Sequence, residues 1–156
     1  MDILDSYGVY ILYMNIFFDV DYTLIAMDGS LRPGSFETFT KLKNDGHALY
    51  VWSGNGIRTR EMDKFELTPL IAGVYEKPVS DFDRGLVELG IPVVPDMAVD
   101  DYQEIVSYYG GVWVSSYVFY NEADNEMDRV YRIIKTVTDE GSNKEELGYY
   151  PPRASR

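Results

Sequence analysis

A chain of 156 residues is long enough to bury one hydrophobic core and too short for a catalytic domain carrying a second domain of similar size. Its 26 acidic against 14 basic residues give a formal net charge of −12 with no Lys/Arg stripe to offset it, which argues against nucleic acid as a partner; 46 % apolar residues argue against global disorder. The absence of cysteine removes disulfides, thiolate metal sites and cysteine nucleophiles.

The apolar run at residues 9–18 follows Asp2 and Asp5 rather than Lys or Arg, lacks a small-residue cleavage site and is too short to cross a bilayer. The reading is therefore no export signal, no membrane and a cytoplasmic location. Residues 1–14 are taken as an N-terminal extension or an extra strand, with Met14 directly before the first clear strand.

Residues 15–20 (NIFFDV) predict a short buried strand. Turn chemistry at 28–34 leads into a helix over 35–44, with Phe36, Phe39 and Leu42 at helical spacing and Asp45-Gly46 as the stop. The pattern repeats. A strand at 48–52, a turn at 54–56 and a helix at 57–65 come next, then a strand at 71–75 and a helix at 80–89. A strand at 92–95 (PVVP) and a helix at 100–108 follow, and then a strand at 112–118 and a helix at 122–137. Residues 139–156 are polar and contain Pro151-Pro152, so they read as a flexible tail.

Strands that are apolar along their whole length and alternate with helices point to an α/β protein. The expected form is a three-layer Rossmann-like fold over residues 15–138, with a central, mainly parallel sheet of about five strands, helices on both faces and no large cap domain. In such folds reactive groups gather at the carboxyl ends of the strands. Asp19 and Asp21 follow the first strand, Ser53 the second and Lys77 the third; Asp96, with Asp100 or Asp101, follows the fourth. Two carboxylates two residues apart do not ionise independently, so Asp19 is expected to act as an anionic nucleophile and Asp21 as general acid and then base.

In this order the residues resemble the four motifs of the haloacid dehalogenase-like (HAD) superfamily. FFDVDYTL matches the first, YVWS the second, Lys77 the third and PDMAVDD the fourth, together spanning roughly residues 15–118; Pro95 stands where Gly or Ser is usual. The resemblance implies a Mg²⁺-dependent phosphohydrolase, a phosphomonoesterase working through an aspartyl-phosphate on Asp19. It implies phosphate contacts from Ser53, Gly54 and Lys77. It also implies a Mg²⁺ held by the Asp19 side chain, the Asp21 backbone carbonyl and the Asp96 side chain, with Thr23, Asp100 and Asp101 in support.

Neither place where this superfamily inserts a cap has room for one, so the site is expected to be open. Its substrate would be a phosphorylated small molecule or a phosphorylated macromolecule, with an oligomer as one way to close the site. The competing readings are a receiver-like signalling domain, a catalytically silent binding domain of the same fold, and a haloacid dehalogenase. His47 reads as structural. The aromatic run at 108–120 reads as a core strand with its flanks, and Arg58 and Arg60 as helix residues within reach of a substrate anion.

Overall fold

The protein is described from a computed structural model covering residues 2–4, 10–140 and 147–153. Strand β1 (Asp2–Leu4) pairs antiparallel with β2 (Tyr10–Leu12) in a two-stranded sheet separate from the main one. The main body then runs β3 (Asn15–Asp19), α1 (Ser35–Asn44), β4 (Ala48–Ser53), α2 (Thr59–Lys64), a 3₁₀ turn (Thr68–Leu70), β5 (Gly73–Glu76) and α3 (Phe82–Glu88). It continues through β6 (Met97–Asp100), α4 (Gln103–Tyr109), β7 (Gly111–Trp113), α5 (Glu126–Glu140) and β8 (Tyr149–Tyr150).

These strands form one mixed, mostly parallel sheet in the order β5-β4-β3-β6-β7-β8, with only β8 antiparallel to its neighbour. The chain is thus an α/β protein. Side chains alternate across a strand, and β3 shows the result. Ile16 and Phe18 join a core cluster with Phe39 and Leu42 of α1, Met62 of α2, and Val130 and Ile134 of α5. Phe17, between them, joins a second cluster with Trp52, with Phe82 and Leu86 of α3, and with Ile105 and Tyr109 of α4. Its ring stacks on Tyr50 with centroids 4.6 Å apart.

Helix α1 has the expected bounds but a rotated buried face: Ser35, Thr38, Phe39 and Leu42 are inside and Phe36 is exposed. It ends where Gly46, at φ 98°, takes a left-handed conformation suited to glycine, its N–H donating to the Lys43 carbonyl. Residues 20–34 between β3 and α1 make a small flap with isolated bridges at Asp21–Ile25 and Ile25–Leu31.

Three expectations need correction. The fourth strand is Met97–Asp100, not residues 92–95, because Pro92 and Pro95 lack the N–H that a central strand must donate to both neighbours. The strand predicted over 112–118 stops at Trp113. Residues beyond it turn to the flap instead, where Tyr117 N–H donates to the Tyr22 carbonyl and Met27 N–H to that of Val118. Residues 139–156 are not all tail: α5 runs to Glu140, and β8 pairs with β7, Tyr149 opposite Val112. Residues 141–146 and 154–156 lie outside the described ones. Gly111, the first residue of β7, has no alternative, since a Cβ there would fall 2.0 Å from the Ala98 carbonyl oxygen. Among the described residues no helix is long and apolar enough to cross a membrane.

Candidate functional site

The parallel strands of the sheet end on one side with polar residues. Asp19 is the last residue of β3, Ser53 of β4 and Asp100 of β6; Lys77 follows β5 directly, its N–H donating to the Ser53 carbonyl at 2.9 Å. The Lys77 ammonium sits between two carboxylates, 3.0 Å from Asp19 Oδ1 and 3.0 Å from Asp100 Oδ2. Asp100 is 0 % exposed, and its Oδ1 accepts the Tyr102 N–H at 2.9 Å.

A tight turn after β3 supplies the next contact. The N–H groups of Thr23, Leu24 and Ile25 all point to the Val20 carbonyl, at 3.2, 2.9 and 3.0 Å, which bends the chain back so that Thr23 Oγ1 donates to Asp19 Oδ2 at 3.0 Å. The same Oγ1 accepts the Asp101 N–H at 3.1 Å, tying the end of β6 to the end of β3. Asp101 Oδ2 accepts a hydrogen bond from Ser116 Oγ at 2.6 Å.

One oxygen each from Asp19, Asp100 and Asp101 lies within 4.8 Å of the others. Twice a Mg–O bond of about 2.0–2.1 Å is about 4 Å, so the trio has the scale of a single cation's shell, and its all-oxygen donors suit a hard ion such as Mg²⁺. Burial, and then the charge of Asp100, push the Asp19 carboxyl well above its usual range despite Lys77. Burial likewise raises Asp100. For Lys77 burial works downward, but the two carboxylates outweigh it and hold the ammonium above its ordinary value.

Asp21 belongs to a separate group. Its Oδ2 accepts from Arg58 Nη1 and from Asn55 Nδ2, both at 2.7 Å, and from Ser53 Oγ at 3.4 Å; among the described residues no hydrogen bond reaches Oδ1. Partial burial works upward on Asp21, but the bonds from Arg58 and Asn55 prevail and hold its carboxyl below the usual range. Among the protein's own groups Asp21 is thus the firmer anion of the two. Asp19, Asp21, Ser53, Gly54, Lys77 and Asp101 all line one cleft of about 240 Å³.

Asp96 is a correction. It precedes β6 and lies at the amino end of the sheet, where its Oδ2 accepts the Asn15 N–H at 2.7 Å and its own N–H donates to the Asn15 carbonyl at 2.9 Å. It stands four positions before Asp100 along extended chain, roughly 13 Å, so it cannot share a cation with Asp19. The acids at the end of the fourth strand are Asp100, its last residue, and Asp101, and both belong to the trio.

Sequence reasoning missed Asn55, whose signal was its place two residues past Ser53 in a Gly-Asn-Gly turn. It also missed Arg32, read as part of a turn but only 1 % exposed. All five Arg32 donors are used: Nε and Nη2 on Asp124 at 2.8 and 3.0 Å, Nη1 on the carbonyls of Thr23 and Ser115 at 3.2 and 2.9 Å, and Nη2 on Ser115 Oγ at 3.0 Å. Arg32 thereby fixes the flap bearing Thr23 to the segment bearing Ser116, the two hydroxyls that bond the acid trio.

No protein-family model, no curated protein and no solved structure matches the chain.

Proposed function

We propose that the chain is a Mg²⁺-dependent phosphohydrolase of the HAD-like kind, with a three-layer Rossmann-like fold, acting on phosphate monoesters through an aspartyl-phosphate on Asp19. The observation that carries this reading is the Lys77 ammonium held 3.0 Å from both Asp19 and Asp100, with Asp101 and Thr23 closing the group. The two core clusters with helices of different parts of the chain support the layering.

In this reading one oxygen of Asp19 forms a bond to phosphorus as the bond to the ester oxygen breaks, and Asp21 gives that oxygen a proton. Asp21 then takes a proton from water as the water oxygen attacks phosphorus, the Asp19–phosphorus bond breaks and orthophosphate leaves. Arg58 and Asn55 anchor Asp21 by Oδ2, so Oδ1 is the oxygen that handles the proton. Lys77 orients Asp19 and offsets the phosphoryl charge. A Mg²⁺ held by Asp19, Asp100 and Asp101 would supply the positive charge that lets an anionic carboxylate approach an anionic phosphoryl group.

The test is phosphate release from p-nitrophenyl phosphate, with Mg²⁺ and with excess EDTA, for the parent and Asp19→Asn. The expected loss is at least roughly 100-fold in the variant, and release is expected to stop with EDTA. Release that survives Asp19→Asn removes Asp19 as nucleophile.

One observation favours a second reading, a binding or signalling domain that is phosphorylated on Asp19 without turnover: Arg58 and Asn55 hold Asp21 as an anion, which weakens it as a proton donor. A long-lived acyl phosphate in the parent protein would favour that reading over the first.

A further inference from the structure

The floor of the cleft is charged but its walls are not. Tyr22, Pro78, Val79, Phe82, Tyr102 and Ile105 line it around Asp19 and Lys77. Three of them keep large apolar surface in water: Tyr22 is 40 % exposed, Tyr102 52 % and Val79 72 %. Tyr22 also holds φ 64°, a conformation an aromatic residue rarely adopts, pinned by its N–H to the Ile25 carbonyl and by the Tyr117 N–H to its own carbonyl. A strained aromatic residue directly after Asp21, on the wall of the same cleft, is a feature the bare chemistry of phosphate transfer does not require.

Charge narrows what can sit between these walls. Lys77 is the single cation among the lining residues, and it is already bonded to Asp19 and Asp100. Arg58 is bonded to Asp21 and Glu61. A second anionic group on a substrate would meet Asp21 and Asp101, and among the described residues that line the cleft no second cation faces it. Sugar hydroxyls would lose water against Tyr22, Val79 and Phe82, and the polar groups of the same cleft are already engaged, Ser53 and Asn55 with Asp21, Asp101 with Ser116 and the Tyr102 hydroxyl with Glu104, which disfavours them. The volume of about 240 Å³ falls below the roughly 300–1,000 Å³ typical of drug-sized ligands, which sets a small substrate.

We infer that the cleft selects monophosphate esters whose leaving group is a small, flat, apolar alcohol with no second anionic group, the ring lying against Tyr22, Val79 and Tyr102. This rests on the phosphohydrolase reading for turnover but not for binding, and the experiment separates the two. Benzyl phosphate and glycerol 3-phosphate both release alkyl alcohols, so a difference between them reports recognition rather than leaving-group reactivity; fructose 1,6-bisphosphate adds a second anion. Benzylphosphonate and methylphosphonate, which cannot be hydrolysed, are titrated calorimetrically into the same protein with Mg²⁺ present.

The expected results are kcat/KM at least tenfold higher for benzyl phosphate than for either other ester, and benzylphosphonate at least tenfold tighter than methylphosphonate. Tyr22→Gly, which tolerates the left-handed φ, and Tyr102→Ala should each shrink both ratios several-fold, chiefly through KM for benzyl phosphate. Val79→Ser, at an exposed position, reads the same ratios should either tyrosine variant fail to fold. Equal kcat/KM for benzyl and glycerol esters, with measurable turnover, overturns the inference and leaves the hydrolase standing. Tight benzylphosphonate binding without release from any ester does the reverse.

Discussion

The two ends of β6 carry aspartates four residues apart whose surroundings differ completely. At the amino end, Asp96 accepts a backbone N–H from Asn15, and beside it His47 Nδ1 accepts that of Met14. Polar side chains there satisfy the chain's own groups at the start of β3, and nothing further is required of them. At the carboxyl end, Asp100 is bonded to Lys77, which is also bonded to Asp19, with Asp101 close by: three carboxylates to one ammonium. Packed acids raise one another's proton affinity, and one ammonium cannot balance all three. The contrast teaches that position along the strand, rather than residue type, separates an aspartate that satisfies backbone groups from one packed among other charges.

The largest expected effect comes from removing the frame that holds the carboxyl end together. Arg32→Met takes the ion pair from Asp124 and the donor from the Thr23 and Ser115 carbonyls, and should lower unfolding free energy in urea by about 3–5 kcal/mol. Arg32→Lys should recover only part of this, since an ammonium offers three donors in place of five. A loss below about 1 kcal/mol for Arg32→Met would show that the flap is held by other contacts.

Next in size is the pair that tests the comparison directly. Asp100→Asn should weaken Mn²⁺ or Mg²⁺ binding by roughly 100-fold, measured by titration calorimetry, while stability without metal stays within about 1 kcal/mol because a like charge beside Asp19 is removed. Asp96→Ala should do the opposite, costing about 1.5 kcal/mol of stability through the lost Asn15 contact and leaving cation affinity unchanged. If Asp96→Ala abolished cation binding, the assignment of the two ends would be wrong.

The smallest effect concerns His47, buried at the amino end. Burial holds its pKa below the usual value; Asp45 opposes this and Lys135 adds to it. A depressed folded-state pKa means the unfolded chain takes up a proton first as pH falls. The stability from neutral His47 is therefore full above about pH 6.5 and is lost as pH falls from there toward the folded-state value. Between pH 7 and 6 the loss should be under about 1 kcal/mol, and the stability curve of His47→Gln should be flatter by that amount. An identical acid limb in both proteins would mean that the imidazole takes up its proton as readily in the fold as in the unfolded chain.

Much of this architecture is legible in the sequence. The placement of Asp19, Ser53 and Lys77 on one side of the sheet could be read because each stands at or just past the end of a short apolar run. The misreading of Asp96 came from two valines between prolines, apolar enough to imitate a strand; the proline rule for central strands held the correction, and its application would have moved the strand to Met97–Asp100. Arg32 was beyond reach for a different reason. Its ion-pair partner Asp124 lies 92 residues away, and no local window distinguishes a charge at a turn that stays in water from one that the chain later folds over. The partners of Asp21 were missed likewise, since the spacing of two carboxylates says nothing about which one an arginine will reach.

The short antiparallel strand β8 has a consequence for how copies of this protein meet. A parallel sheet that stopped at β7 would present a bare row of peptide groups, a template onto which a strand of another copy could add. Two tyrosines occupy that row, Pro151 and Pro152 follow at once with no N–H to extend it, and Arg153 anchors the strap by its pair with Asp83 and its place over the Tyr108 ring. The border is thereby cut down to a two-residue edge that ends in prolines, a poor template for strand-by-strand polymerisation, and β5 forms the sheet's other edge among the described residues.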